Sequence, residues 1–268
     1  MSSTVPPGSF IPTPHNRQFA GDLNSMTYAV GFLLEEGLVF ASDSRTNAGV
    51  DQVAIARKMT IFEKPGDRFM TLLVAGNLAI TQGVIRLLNE DLDTGNEGDL
   101  FATTTMFAAA RIVGAAVRSV YEVDGAALKE QDIKFSAAFI FGGQITGREA
   151  RLYMVYAAGN FIEALPEAPF LQIGENKYGK PIIDRIITHE SSINQAVKCT
   201  VLSFDSTMRS NISVGPPIDI LTYKRDSLEA GLKVQLPEND NYLNQIRDYW
   251  GSALNHAFED MPDPDWLK

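Results

Sequence analysis

The sequence predicts an α+β fold in which antiparallel sheets carry helices on their outer faces. Three observations predict it. Strand-like runs come as hairpin pairs around glycine turns, not singly between helices. Helical period, with apolar residues three and four apart, appears only in blocks between those pairs. The chain has 268 residues, 45% hydrophobic and 21% charged, which suffices for a sizeable core.

The elements follow in order. Thr27 to Glu35 and Leu38 to Ser42 form a hairpin around Glu36-Gly37. Arg57 to Glu63 and Phe69 to Ala75 form a second around Pro65-Gly66. Leu78 to Leu92 and Leu100 to Val123 carry the helical period, the latter through Met106, Ala109, Ala110, Val113, Val117 and Val120. Lys134 to Phe141, Ala150 to Ala158, Phe161 to Ala164 and Phe170 to Ile173 read as strands. Lys180 to His189, with Pro181 in its first turn, and Ile193 to Phe204 read as helices. Ile212 to Tyr223 and Ser227 to Val234 close the sheets, and Asp240 to Phe258 is a last helix. Strands, helices, strands, helices, strands, helix is not the order of a doubly wound parallel sheet.

Composition narrows the function. The formal charge is −10, from 23 Lys and Arg against 33 Asp and Glu. Phosphate backbones are bound by clustered Lys and Arg. No basic run exists, so nucleic acid and anionic membranes are disfavoured as partners. No stretch approaches the roughly 20 apolar residues of a membrane span. The single cysteine, Cys199, leaves no internal disulfide or multi-cysteine metal site. It fits a reducing, cytoplasmic setting, and its run AVKCTVLSF reads as a core helix. GxSxG, GxxxxGK[ST], GxGxxG and HExxH motifs are absent.

The first 25 residues stand apart. They are rich in Pro, Ser, Gly and Asn and lack the apolar region of a secretory signal. Residues 1–26 are expected to be a leader, a propeptide or the product of a start codon placed too far upstream. Translation from Met26 with aminopeptidase trimming is the preferred of these. Residues 27–268 are expected to form a single domain.

Strand character begins at the Met26-Thr27 boundary, and candidate chemistry sits there. If Thr27 becomes the N-terminus, its α-amine has a reference pKa of about 7.7–8.0. It can then act as base for the residue's own hydroxyl. Asp43 follows the second strand in ASDSRTNAG. Lys58 lies in RKMTIFE, and a lysine turned inward there needs a partner, which Asp43 can supply. Gly76, in VAGN, lets a backbone N–H approach a substrate carbonyl, as an oxyanion hole requires. Each residue alone has a plainer reading: a strand threonine, a turn aspartate, a solvated lysine, a strand end before the helix cap Asn77. The combination over 50 residues is the specific signal.

With these residues the sequence resembles the proteasome β-subunit superfamily of N-terminal nucleophile hydrolases, and within it the bacterial Anbu family. TYAVGFLLEEGLVFASDSRTNAGVDQVAIARKM, QIGENKYGKPIIDR and SFDSTMRSNISVGPPIDI carry the resemblance, which extends from Met26 to the C-terminal helix. It implies a four-layer αββα sandwich and a chain beginning at Met-Thr. It implies Thr27 as nucleophile, Asp43 and Lys58 as its supporting pair, and Gly76 as oxyanion glycine. Asp205 is similar to the aspartate of an Asp-x-x-Ser segment, although the serine does not fall in place. The Gly-Ser-Gly segment of proteasome subunits reads Gly174-Glu175-Asn176 here, without its serine.

The implied function is a threonine hydrolase that cleaves peptide or other amide bonds within a homo-oligomeric ring or open helical ring. It needs no metal or organic cofactor and leaves room for an unidentified ATP-dependent unfoldase. The helices at 78–92 and 100–123 are candidate subunit contacts. The alternatives are an assembly or binding protein without turnover, and a small-molecule amidase on the same site.

Overall fold

The computed structural model describes residues 27–47, 53–94 and 99–267; the expected leader lies outside them. Strands β1 (Tyr28–Leu34) and β2 (Gly37–Asp43) form the first hairpin, and β5 (Met59–Lys64) and β6 (Arg68–Gly76) the second. Between them β3 (Arg45–Asn47) pairs with β4 (Val53–Ile55). Helices α1 (Leu78–Thr94) and α2 (Met106–Glu130) follow. Next come β7 (Ala137–Ile145), β8 (Arg151–Tyr156), β9 (Phe161–Glu163) and β10 (Phe170–Gly174). Helices α3 (Lys180–Ile186) and α4 (Ile193–Ser210), strands β11 (Ile218–Lys224) and β12 (Lys233–Leu236), and helix α5 (Asn241–Glu259) complete the chain.

Two five-stranded sheets result, ordered β10-β1-β2-β11-β12 and β5-β6-β7-β8-β9, with antiparallel neighbours throughout. Strand alternation sorts the apolar side chains into three cores. Leu33, Leu38 and Phe40 meet Phe69, Leu73 and Ile140 between the sheets. Tyr28, Val30, Phe32, Val39 and Ala41 turn outward onto α3, α4 and α5. Met70, Leu72, Phe139 and Phe141 turn the other way, onto α1 and α2. Helix, sheet, sheet and helix therefore stack as four layers, the expected α+β sandwich.

Several boundaries move for identifiable reasons. The second helix starts at Met106 rather than Leu100, because Thr105 caps it with a side-chain bond to the Ala108 N–H. Residues Leu100–Ala102 form a separate 3-10 turn capped by Asp99. The same helix continues to Glu130, past the end of its apolar stripe. The strand expected from Ile212 starts at Ile218, since residues 211–217 form a loop. The strand expected from Ser227 starts at Lys233, since Asp226 and Leu228 adopt φ of 64° and 52° and turn the chain. The short β3–β4 hairpin is an addition; its residues lack a clear alternating pattern. Asn77 does cap α1, accepting the Ala79 N–H at 2.9 Å, and Pro181 does occupy the first turn of α3.

Candidate active site

The site forms where the first strands of both sheets meet. Asp43 is the last residue of β2 and is fully buried. Lys58 immediately precedes β5 in the opposite sheet and is 5% exposed. Lys58 Nζ donates to Asp43 Oδ1 at 2.8 Å and to the Arg45 carbonyl at 2.6 Å. The expectation that a buried lysine here finds Asp43 describes the geometry.

Asp43 does more than hold Lys58. Its Oδ1 also accepts the Tyr28 N–H at 3.1 Å, and its Oδ2 faces the Gly215 N–H at 3.5 Å. One carboxylate thus ties together the start of β1, the lysine and the loop before β11. A buried charge needs such partners, because an unpaired ion in the interior loses its hydration without compensation. Burial pushes the Asp43 carboxyl up to about 6, with Lys58 and the two backbone donors opposing that rise. Burial likewise holds the Lys58 ammonium below the usual lysine value, with Asp43 opposing.

Thr27 precedes β1 and is 5% exposed. Its carbonyl accepts the Glu175 N–H at 2.8 Å. Gly174, paired with Tyr28, lies against that carbonyl at φ 80°. A Cβ at position 174 would overlap the Thr27 carbonyl oxygen, so glycine is required on both conformational and steric grounds. The segment read in sequence only as lacking a serine therefore shapes the backbone beside Thr27.

Gly76 ends β6 at φ 113°, and a Cβ there would overlap the Ser136 carbonyl. Val74, two residues before Gly76 on β6, donates its N–H to the Lys58 carbonyl at 2.9 Å, so Gly76 lies at the end of the sheet where Lys58 meets Asp43. Asp205 is placed differently. It sits on α4, and its Oδ1 accepts Arg247 Nε of α5 at 2.7 Å. Among the described residues it has no hydrogen bond to Thr27, Asp43 or Lys58.

The loop 211–215 is the part that sequence reasoning missed. Asn211 Oδ1 accepts the Ser213 N–H at 3.0 Å and its hydroxyl at 2.5 Å, which folds the loop on itself. The Ile212 carbonyl accepts Arg45 Nη1 at 2.8 Å. Gly215 then reaches Asp43. The Asn-x-Ser run and the glycine signalled a turn, but their partners lie some 170 residues away in sequence.

Among the described residues no group of three or more His, Cys, Asp and Glu is placed to hold a metal ion. No helix there is long and apolar enough to cross a membrane. Cys199 is buried in the core beneath β1, and burial pushes its thiol up to about 12.

Two antiparallel sheets between helical layers, with a buried Lys–Asp pair at the start of the first strand, define a sandwich of the proteasome β-subunit type. Solved structures agree. The chain is 47% identical to an Anbu (Gly-1) mutant from Hyphomicrobium sp. strain MC1, covering 89% of this chain and 99% of that one, with a TM-score of 0.84. It is 41% identical to Anbu (ancestral β-subunit) from Yersinia bercovieri, covering 89% and 99%, with a TM-score of 0.83. It is 44% identical to the chain in the helical assembly of the Anbu complex from Pseudomonas aeruginosa, covering 88% and 98%, with a TM-score of 0.84. No family model and no curated protein matches the chain. The chain belongs to the Anbu family.

Proposed function

We propose that this protein is an N-terminal threonine hydrolase that cleaves peptide bonds from within a self-assembled open ring. One observation carries the reading: the residue after Thr27 is bonded to a buried Asp43–Lys58 pair. Burying an ammonium and a carboxylate beside a chain position that carries a hydroxyl costs hydration, and such perturbed pairs cluster at functional sites.

The mechanism starts from a chain whose first residue is Thr27, so that its α-amine is free. That amine takes the proton from Oγ1 as the oxygen attacks the substrate carbonyl. The Gly76 N–H holds the resulting oxyanion. The amine returns the proton to the leaving nitrogen, and an ester to Thr27 remains. Water, deprotonated by the same amine, hydrolyses that ester and restores the hydroxyl. Lys58 stabilises the developing alkoxide electrostatically, and Asp43 keeps Lys58 charged and in place. Asp205 serves α4–α5 packing through Arg247 in this reading.

The assembly follows the relative from Pseudomonas aeruginosa, which forms a helical assembly. Exposed Tyr249, Phe258 and Trp266 along α5 and the tail give this chain apolar surface for contacts between copies. Light scattering of purified protein tests this: a monomer at micromolar concentration removes the ring.

Intact mass spectrometry of native protein with and without a peptide epoxyketone tests the chemistry. An adduct on a chain beginning at Thr27, absent in Thr27→Ala, supports the hydrolase. A chain still carrying Met26, or one that stays unmodified, removes it. A second reading, an assembly protein without turnover, is favoured by Glu175 standing where a supporting serine is absent. The same experiment separates the two, and parallel assays on peptides and non-peptide amides separate a small-molecule amidase.

A further inference from the structure

We infer that Tyr28 is a positioning residue for the nucleophile, acting through a buried hydroxyl lock formed with Ser203 and Gln172. The inference rests on the proposed Thr27 chemistry and adds a part to it.

A chain end frays unless it is tied down. Thr27 has no preceding residue once the leader is removed, so its geometry depends on what holds the next residue. Tyr28 is fully buried, with its ring 4.6 Å from that of Phe204 on α4. Its hydroxyl receives Gln172 Nε2 from β10 at 2.5 Å and lies 2.5 Å from Ser203 Oγ on α4. Ser203 is itself fully buried and Gln172 is 9% exposed. Gly179 leaves room for the group: a Cβ there would stand 2.5 Å from the Tyr28 hydroxyl and 2.6 Å from Ser203 Oγ.

Packing alone does not call for this arrangement. A phenylalanine would fill the same apolar space with no polar group to satisfy. The hydroxyl instead joins β1 to a strand and a helix at a defined distance, with hydrogen-bond directionality that apolar contact lacks. The main-chain N–H of the same residue bonds Asp43. Tyr28 is therefore held at both ends, by the ion pair on one side and by α4 on the other. Rotation or slippage of β1 would break both bonds and carry Thr27 with it. Burial also pushes the phenol well above its ordinary value, so it stays protonated and able to bond at any working pH.

The test uses processed, assembled protein carrying Tyr28→Phe or Ser203→Ala, beside the parent, well below all melting temperatures. Misplacing a reacting group by about 1 Å can cost about 100-fold in rate. The folded Tyr28→Phe protein is expected to form the epoxyketone adduct about 10- to 100-fold more slowly. Its kcat should fall while KM stays within about a factor of two, as for an interaction that serves the transition state. Ser203→Ala, which keeps the Gln172 bond, should show a smaller loss, and the Tyr28 amide should exchange hydrogen faster in both. A folded Tyr28→Phe protein reacting at the parent rate overturns the inference while leaving the hydrolase intact. Should Tyr28→Phe not fold, a parent-rate Ser203→Ala protein overturns it. An unreactive parent removes the hydrolase and the positioning role together.

Discussion

Lys58 and Asp43 come from opposite sheets, and their side chains meet at 2.8 Å while almost wholly excluded from solvent. Such a pair is weak evidence of stability, because both ions lose hydration, but removing one partner takes from the other the buried charge that balances it. Asp43→Asn is therefore expected to destabilise the fold by about 3–5 kcal/mol. Adding Lys58→Met should recover most of that loss in denaturant titrations. Neither protein should form the Thr27 adduct at more than about one-hundredth of the parent rate.

The pH dependence has a defined sign. Burial raises the Asp43 carboxyl to about 6 from an ordinary value of 3.8. The folded chain therefore binds this proton more tightly than the unfolded chain. The resulting contribution favours folding at low pH and is lost as pH rises from about 4 to about 6. Activity runs the opposite way, because protonated Asp43 no longer holds a charged Lys58. The α-amine that serves as base lowers the adduct rate about tenfold per pH unit below about 8, and protonation of Asp43 should steepen this to about 100-fold per unit below about 6. A slope that stays at about tenfold per unit from about pH 7 to about pH 4 would contradict this.

Gly174→Ala tests the wall beside Thr27. The new Cβ would meet the Thr27 carbonyl, and φ of 80° disfavours alanine. A cost of about 1–3 kcal/mol in stability is expected. The loss in rate should exceed what the unfolded fraction accounts for, by about 100-fold if Thr27 shifts by about 1 Å. Calorimetry and adduct kinetics on one sample check both.

Arg247→Ala separates a packing role for Asp205 from a chemical one. The variant strips the buried carboxylate of its α5 partner and should cost about 1–3 kcal/mol. The rate per folded protomer should stay at the parent value, as it should in Asp205→Asn. A large drop in the rate of folded Asp205→Asn would place Asp205 in the chemistry.

The fold was legible because it rests on local signals. Apolar runs on either side of the Glu36-Gly37 and Pro65-Gly66 turns specified both opening hairpins, and three-and-four spacing specified α1, α2 and α4. Helix starts were less legible, since Thr105 outweighed an apolar run that continues upstream to Leu100. Within the site, the Lys58–Asp43 contact was legible because an ammonium turned inward at the start of an apolar strand demands a carboxylate, although the strand itself begins one residue later, at Met59. The Asn211–Gly215 loop and the Ser203–Tyr28 contact were not. Each depends on residues more than 150 positions apart, which no local pattern encodes.

The sheet order β10-β1-β2-β11-β12 sets a timetable for biosynthesis. The amino-terminal hairpin leaves the ribosome early, yet both of its neighbours are encoded in the last 100 residues. Until those arrive, β1 lacks one edge, Asp43 lacks Gly215, and Tyr28 lacks its two hydroxyl partners. A nascent chain can therefore carry an exposed threonine without a working centre around it, and competence to cut is acquired only when synthesis is nearly over.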